Sequence, residues 1–224
     1  GGTSPLDAVI AGRRALLHSD GAVKVTDGVT AGGEVTITSV RGGITMGTGI
    51  ESSGLFDNAA INGDVTLSAS GDITLPLITA GNGAITASGH DLTLGQLSST
   101  GDIMLRAAGD LSVDQSLSAG SQNWQAEQGT VTAGDVQAAG DWYLTAGQAQ
   151  IDTAVINGDV DAVVSGDLRL NALSAAVVGC RGSAVPVRSV VPGHRTLHVP
   201  QSAPGLLAAP CQVPVLAAVA HDRG

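Results

Sequence analysis

The first 179 residues of this 224-residue chain hold no cysteine, and the two present, Cys180 and Cys211, come late. Disulfides therefore cannot staple the body of the molecule. The pair has no metal-ligand spacing and could join only if its segment folds in an oxidising compartment. Lysine occurs once, as Lys24. With 20 acids against 10 lysines and arginines, and a formal net charge of −10, the chain repels polyanions, so no nucleic-acid partner is expected. Aromatics make up only 2% of the residues, which excludes a core built on large rings. No uncharged apolar run reaches the ~18 residues of a spanning helix. The nearest, Leu206 to Ala220, is broken by Pro210 and Pro214, so no membrane span is expected. The integrin-type Arg-Gly-Asp triplet is missing as well, its nearest matches being "RGG" at 41 and "RGS" at 181. The chain opens without Met or a basic-then-apolar leader, as a piece of a longer protein would.

What the chain does have is glycine, 32 residues of it, and a repeated phrase. "INGDV" occurs at Ile61 to Val65 and again at Ile156 to Val160, an offset of five times 19 residues. The middle of the chain divides into six consecutive units, 63–82, 83–100, 101–119, 120–139, 140–157 and 158–175. Each unit carries short apolar-polar-apolar runs in the same order. The first runs supply Val65, Ile85, Ile103, Trp124, Trp142 and Val160. The second supply Ile73, Leu92, Leu111, Val131, Ile151 and Leu168, and the third Leu77, Leu97, Leu117, Val136, Val155 and Leu173.

Period-two alternation such as "DVTL", "DITL", "DLTL" and "DLSV" is the pattern of a strand with one buried face. Leu67, Leu75, Leu94, Leu105, Val113, Leu144 and Leu170 take the second inward position, and Thr66, Thr74, Thr93, Ser112 and Arg169 face water. Gly-Asp before a run reads as a corner: Gly for backbone conformations closed to other residues, Asp for bonds back to the turn's own amides. Trp124 and Trp142 fall in one ladder, one coil apart, and are expected to stack inside.

A unit of 18 to 20 residues with three strands cannot bury its inward face alone, so it stacks on its neighbours. The fold class expected is all-β, a right-handed parallel β-helix, or solenoid, with handedness following the rule for parallel crossovers. A β-sandwich also alternates, but has no reason to keep three ladders in phase. "GAVKVTDGVTAG", "GEVTITSV" and "GGITMG" in the region 21–62 add about two coils, for eight in all and a rod roughly 40 Å long. The organisation expected is a lead-in over 1–20, a shaft over 21–175 and an irregular tail over 176–224. The tail holds six of the eight prolines, four arginines and one acid, Asp222, giving +3 against −13 for the residues before it. It reads as a linker or a reading-frame artefact rather than a cap, because proline cannot donate to a ladder.

Few residues suggest chemistry. β-Helical polysaccharide enzymes project long loops over a cleft of clustered Asp, Lys or Arg, whereas these coils differ by two residues. His18 and His90 are isolated in the sequence, and the Asp residues lack the Gly-Gly-x-Gly-x-Asp order of calcium-binding repeats. No catalytic, cofactor-binding or metal residue is assigned, and no enzyme activity or cofactor is expected.

"GDVTLSASGDITL", "GHDLTLGQLSSTGDIMLRAAGDLSV" and "GDVDAVVSGDLRL" resemble the shaft repeats of filamentous haemagglutinin-type adhesins of Gram-negative bacteria, over about residues 21–175. The resemblance implies a secreted, cell-surface fibre exported by two-partner secretion through an outer-membrane pore. It implies adhesion to receptors on host cells or other bacteria through the parent protein, and virulence. The same repeats form stalks of contact-dependent inhibition toxins.

Overall fold

A computed structural model describes residues 5–181; the prolines of the expected tail, Cys211 and the irregularity expected of 182–224 lie outside the described residues. Parallel strands with no helix form a β-solenoid of about nine turns. Every pairing in the 18-stranded sheet runs parallel, and at ~4.8 Å per coil the rod is roughly 43 Å long.

Three faces recur in each coil. The first is made by Ala15–Ser19, Val35–Ser39, Val65–Ala69, Ile85–Gly89, Ile103–Ala107, the start of Gln122–Ala138, the start of Trp142–Ile156, Asp159–Val164 and Val177–Arg181. The second and third faces share single strands such as Ile73–Ala80, Leu92–Ser99 and Leu111–Ser118. The stack begins earlier than residue 21, since Val9–Ala11 and Ala15–Ser19 already pair with Gly28–Ala31 and Val35–Ser39. It also runs past Ala175, because Val177–Arg181 pairs with Asp159–Val164.

The second inward positions are buried as expected, from Leu67 to Leu170 at 0 or 1% exposure. The three ladders need correction. Trp124 does not share a column with Trp142: Gln122 pairs with Trp142, and Trp124 pairs with Leu105 below and Leu144 above. Ile151 likewise belongs with Ala133 and Leu170, while Ala149 sits between Val131 and Leu168. In the third run the inward residues are Ile78, Leu97, Ser116, Val136, Ala154 and Leu173. Leu77 is half-buried, and Leu117 and Val155 stand 51% and 43% exposed.

The cause lies at a corner inside these strands. Pairing skips Pro76, Gly95, Asp114, Gly134, Asp152 and Asn171, which stack as an unpaired column between the second and third faces. A bend there shifts the alternation by one residue, so counting in twos across it points the wrong side chain inward.

The interior also accepts polar residues. Ser116 Oγ donates to Gln122 Oε1 at 2.7 Å, and Gln122 Nε2 donates to the Gln137 carbonyl at 2.8 Å. Buried polar groups satisfied in this way lose little, whereas an orphaned one costs about 1–3 kcal/mol. Ser39, Ser52, Ser99 and Ser118, inward at strand ends, donate to the corner carbonyls of Gly21, Gly33, Gly83 and Gly120.

The Gly-Asp corners follow a different physics from the one expected. Among the described glycines only Gly49 and Gly54, at φ 114° and 67°, occupy the left-handed region. At the corners the constraint is space: a Cβ on Gly147 or Gly166 would stand 2.8 Å from the carbonyl oxygen of Gly129 or Gly147, one coil away. The aspartates also bond outward to the neighbouring coil rather than to their own turn. Asp64, Asp102 and Asp141 accept from the amides of Ala84, Ser121 and Asp159 at 2.7 to 2.9 Å. Asp91 and Asp110 accept from Asp110 and Thr130, both at 2.8 Å. Each carboxylate thus staples its coil to the next, as a charge-assisted bond to a backbone donor.

Candidate functional site

Regular coils leave few places where side chains can converge, and three among the described residues stand out. The first is a cluster at one corner. His90, expected to be isolated, lies between two carboxylates: its Nδ1 is 3.4 Å from Asp72 Oδ1 and 3.2 Å from Asp91 Oδ1. Those oxygens already accept backbone N–H bonds, from Asp91 at 3.3 Å and Asp110 at 2.8 Å. The three donor side chains come within 4.8 Å of one another, with Asp72 and His90 exposed and Asp91 half-buried. When protonated, His90 can bridge the two coils as a cation. His18 has no such neighbours and faces outward beside Thr38.

The second place is a trough at the bend between the second and third faces. Thr74, Thr93, Gly95, Gln96, Asp114 and Gln115 line about 710 Å³ there. Its polar groups are mostly neutral, and the missing side chain of Gly95 makes room for the Pro76 carbonyl.

The third is a hairpin. Val35 pairs with Val65, thirty residues on, whereas Val65 pairs with Ile85 at the usual twenty. The extra length is the segment "SGLFDNAAIN" over 53–62, where Leu55–Phe56 pairs antiparallel with Ala59–Ala60. Asp57 and Asn58 between them both have positive φ, 50° and 62°, the geometry of a two-residue type I′ turn that Asn and Asp tolerate. The hairpin folds back over the corners of the two preceding coils. A Cβ on Gly12 would lie 3.6 Å from the Phe56 ring, and one on Gly33 would stand 2.6 Å from Ile61 Cδ1. Arg13 Cζ sits 4.7 Å from the centre of the Phe56 ring. Arg14 Nη1 reaches Glu34 Oε2 only at 4.0 Å, an exposed pair of little worth. Arg13, Arg14, Glu34, Ile61 and Asn62 line a cavity of about 570 Å³.

No candidate residue was assigned here from sequence, although a signal existed. "DN" between the short apolar pairs "LF" and "AA" tolerates the positive φ of a tight turn, although it lacks the glycine of the strongest hairpin signals. A lead-in over 1–20 leaves Arg13 and Arg14 outside the shaft, whereas the pairing of Val9–Ala11 and Ala15–Ser19 puts them at a corner of the first coil.

Tyr143 marks the acidic side of the first face. Its hydroxyl donates to Asp141 Oδ2 at 3.1 Å. The phenol is held above its ordinary value of 10.0, first by that hydrogen bond and then by the negative charge of Asp141, with small contributions from burial, Asp159 and Asp161. A raised value favours the protonated phenol in the fold, so its stabilising contribution is full below the unfolded value and lost as pH rises through the folded one. Absorbance at 295 nm, reading the chain's one tyrosine, should show a midpoint above 10.0 that falls on Asp141→Asn. A midpoint unmoved by that substitution would remove the hydrogen bond as the cause.

No described helix is long and apolar enough to cross a membrane. No protein-family model, no curated protein and no solved structure matches the chain.

Proposed function

We propose that the chain is a shaft segment of a secreted, surface-exposed bacterial adhesin fibre of the filamentous haemagglutinin type. The observation that carries this reading is the uninterrupted parallel stack of about nine turns, in which each coil is bonded chiefly to the coils on either side of it. Such a stack grows by adding coils, and its length is set by repeat number rather than by a closed core. The repeat phrases that resemble the family's shaft point the same way.

Export fits the chemistry of the segment. With no cysteine in residues 1–179, an unfolded chain can pass an outer-membrane pore without disulfide obstruction. Coils folding outside would then draw it outward. The shaft holds receptor-binding parts of the parent protein away from the cell, and this reading gives the shaft itself no catalysis.

Antibodies raised against the chain should label intact, unpermeabilised cells of the producing bacterium, on fibres extending from the surface. Labelling that appears only after permeabilisation would overturn the surface reading. Labelling of intact cells without any loss of adhesion when the parent gene is deleted would favour a toxin stalk over an adhesin.

A further inference from the structure

We propose that the hairpin over 53–62 and the Arg13–Arg14 corner beneath it form a binding site for a sugar bearing a single carboxylate. The inference concerns a site on the surface of the rod and stands apart from the adhesin reading.

Three observations converge. Where paired positions in other coils lie 18 to 21 residues apart, the hairpin adds about ten residues, and it folds back onto the one pair of adjacent arginines among the described residues. The guanidinium of Arg13 is oriented by the Phe56 ring at 4.7 Å. Among the described residues it makes no hydrogen bond or ion pair, so its N–H fork is free. Most lysines and arginines of residues 1–175 lack an acidic partner, Arg14 with Glu34 being the one pair among the described residues, so what sets Arg13 apart is the ring that holds it. The cavity beside it, about 570 Å³, has the volume of a one- or two-sugar ligand.

The chemistry of the lining selects the ligand. Arg13 and Arg14 against Glu34 leave one net positive charge, enough for one anionic group. A guanidinium fork matches a planar carboxylate with two parallel N–H bonds. Ile61 offers apolar surface to the C–H face of a sugar, and Asn62 offers an amide to its hydroxyls, while the Phe56 ring holds Arg13 in place. The field of the surrounding acids disfavours polyanions and doubly charged phosphates, and a single carboxylate meets the least repulsion.

The test is titration of the full chain with glucuronate, glucose, acetate and glucose 6-phosphate, followed by NMR on backbone amides and the arginine Nε–H resonances. Glucuronate should shift Arg13, Arg14 and the amides of 55–62, and bind more tightly than the other three. Arg13→Gln should weaken it roughly tenfold or more, the worth of a charge-assisted bond. Arg106→Gln, on an outward position four coils on from that of Arg13, should leave it unchanged. Arg13→Lys, which keeps the charge but loses the fork, should also weaken it, and thermal melts confirm that each variant is folded. Equal binding of acetate or glucose would overturn the acidic sugar, and tighter binding of glucose 6-phosphate would overturn the carboxylate. No binding by any probe, or shifts elsewhere on the rod, would overturn the site.

Discussion

Leu111→Asp is expected to unfold the stack locally and lower the melting temperature sharply, at a cost above about 4 kcal/mol. Leu111 is fully buried, between Leu92 on one coil and Val131 on the next. Among the described residues no cationic side chain lies in the buried core to pair with a new carboxylate. Its neighbour in the preceding coil supplies the control. Thr93 stands outward between Thr74 and Ser112, and Thr93→Asp should cost less than about 1 kcal/mol. Equal shifts of the two melting temperatures would show that the inward and outward faces are misassigned. Because each coil supports the next, the loss at Leu111 should also spread to the amides of 92–99 and 131–138 in hydrogen exchange.

Trp124→Ala should be the next most damaging change, at about 3–5 kcal/mol. Trp124 and Trp142 are both fully buried, with ring centres 5.6 Å apart and planes at 79°, an edge-to-face contact. Truncation to Ala removes the larger part of that contact and opens a cavity against Trp142. Trp124→Phe should cost much less. It keeps most of the ring volume and removes an indole N–H that, like that of Trp142, has no acceptor in the core. Circular dichroism provides a second readout, since two coupled indoles give an exciton signal that either single substitution abolishes. A wild-type emission maximum typical of hydrated indole would sink the buried pair.

The two tryptophans also show how a register is misread. Apolar pattern alone sets Trp124 beside Trp142, because both are the first large apolar residue of their runs. Counting from the corner gives the right answer: the residue two beyond Gly120 is Gln122, and two beyond Gly140 is Trp142. The same count from Gly147 gives Ala149 rather than Ile151. Corner glycines report register better than hydrophobicity does, because a side chain there would strike the backbone of the adjacent coil. Gln122 escapes a hydrophobic reading because Ser116 and the Gln137 carbonyl supply its partners, and those partners meet only when coils stack.

Less of the candidate sites was legible. The pair "DN" permits the hairpin turn, yet nothing local says that it folds back over Gly12 and Gly33 to set Phe56 against Arg13. His90 likewise meets Asp72 only because one coil of chain returns it to the same corner.

By itself, the sequence determined the parallel coil of about 19 residues and most inward positions of the first two faces, from Val65 and Leu67 to Leu168 and Leu170, Gln122 and Ala149 excepted. These follow from local alternation and from corners repeated at a fixed spacing, both properties of neighbouring residues. Tertiary structure alone decided the third face, where the bend at Pro76 and Gly95 inverts the alternation and turns Leu117 outward. It alone decided that the corner aspartates bond to the next coil, and which cations and carboxylates share a corner. Those contacts join residues about 20 apart, or across the hairpin more than 40, and no local pattern encodes them until the coils are in register.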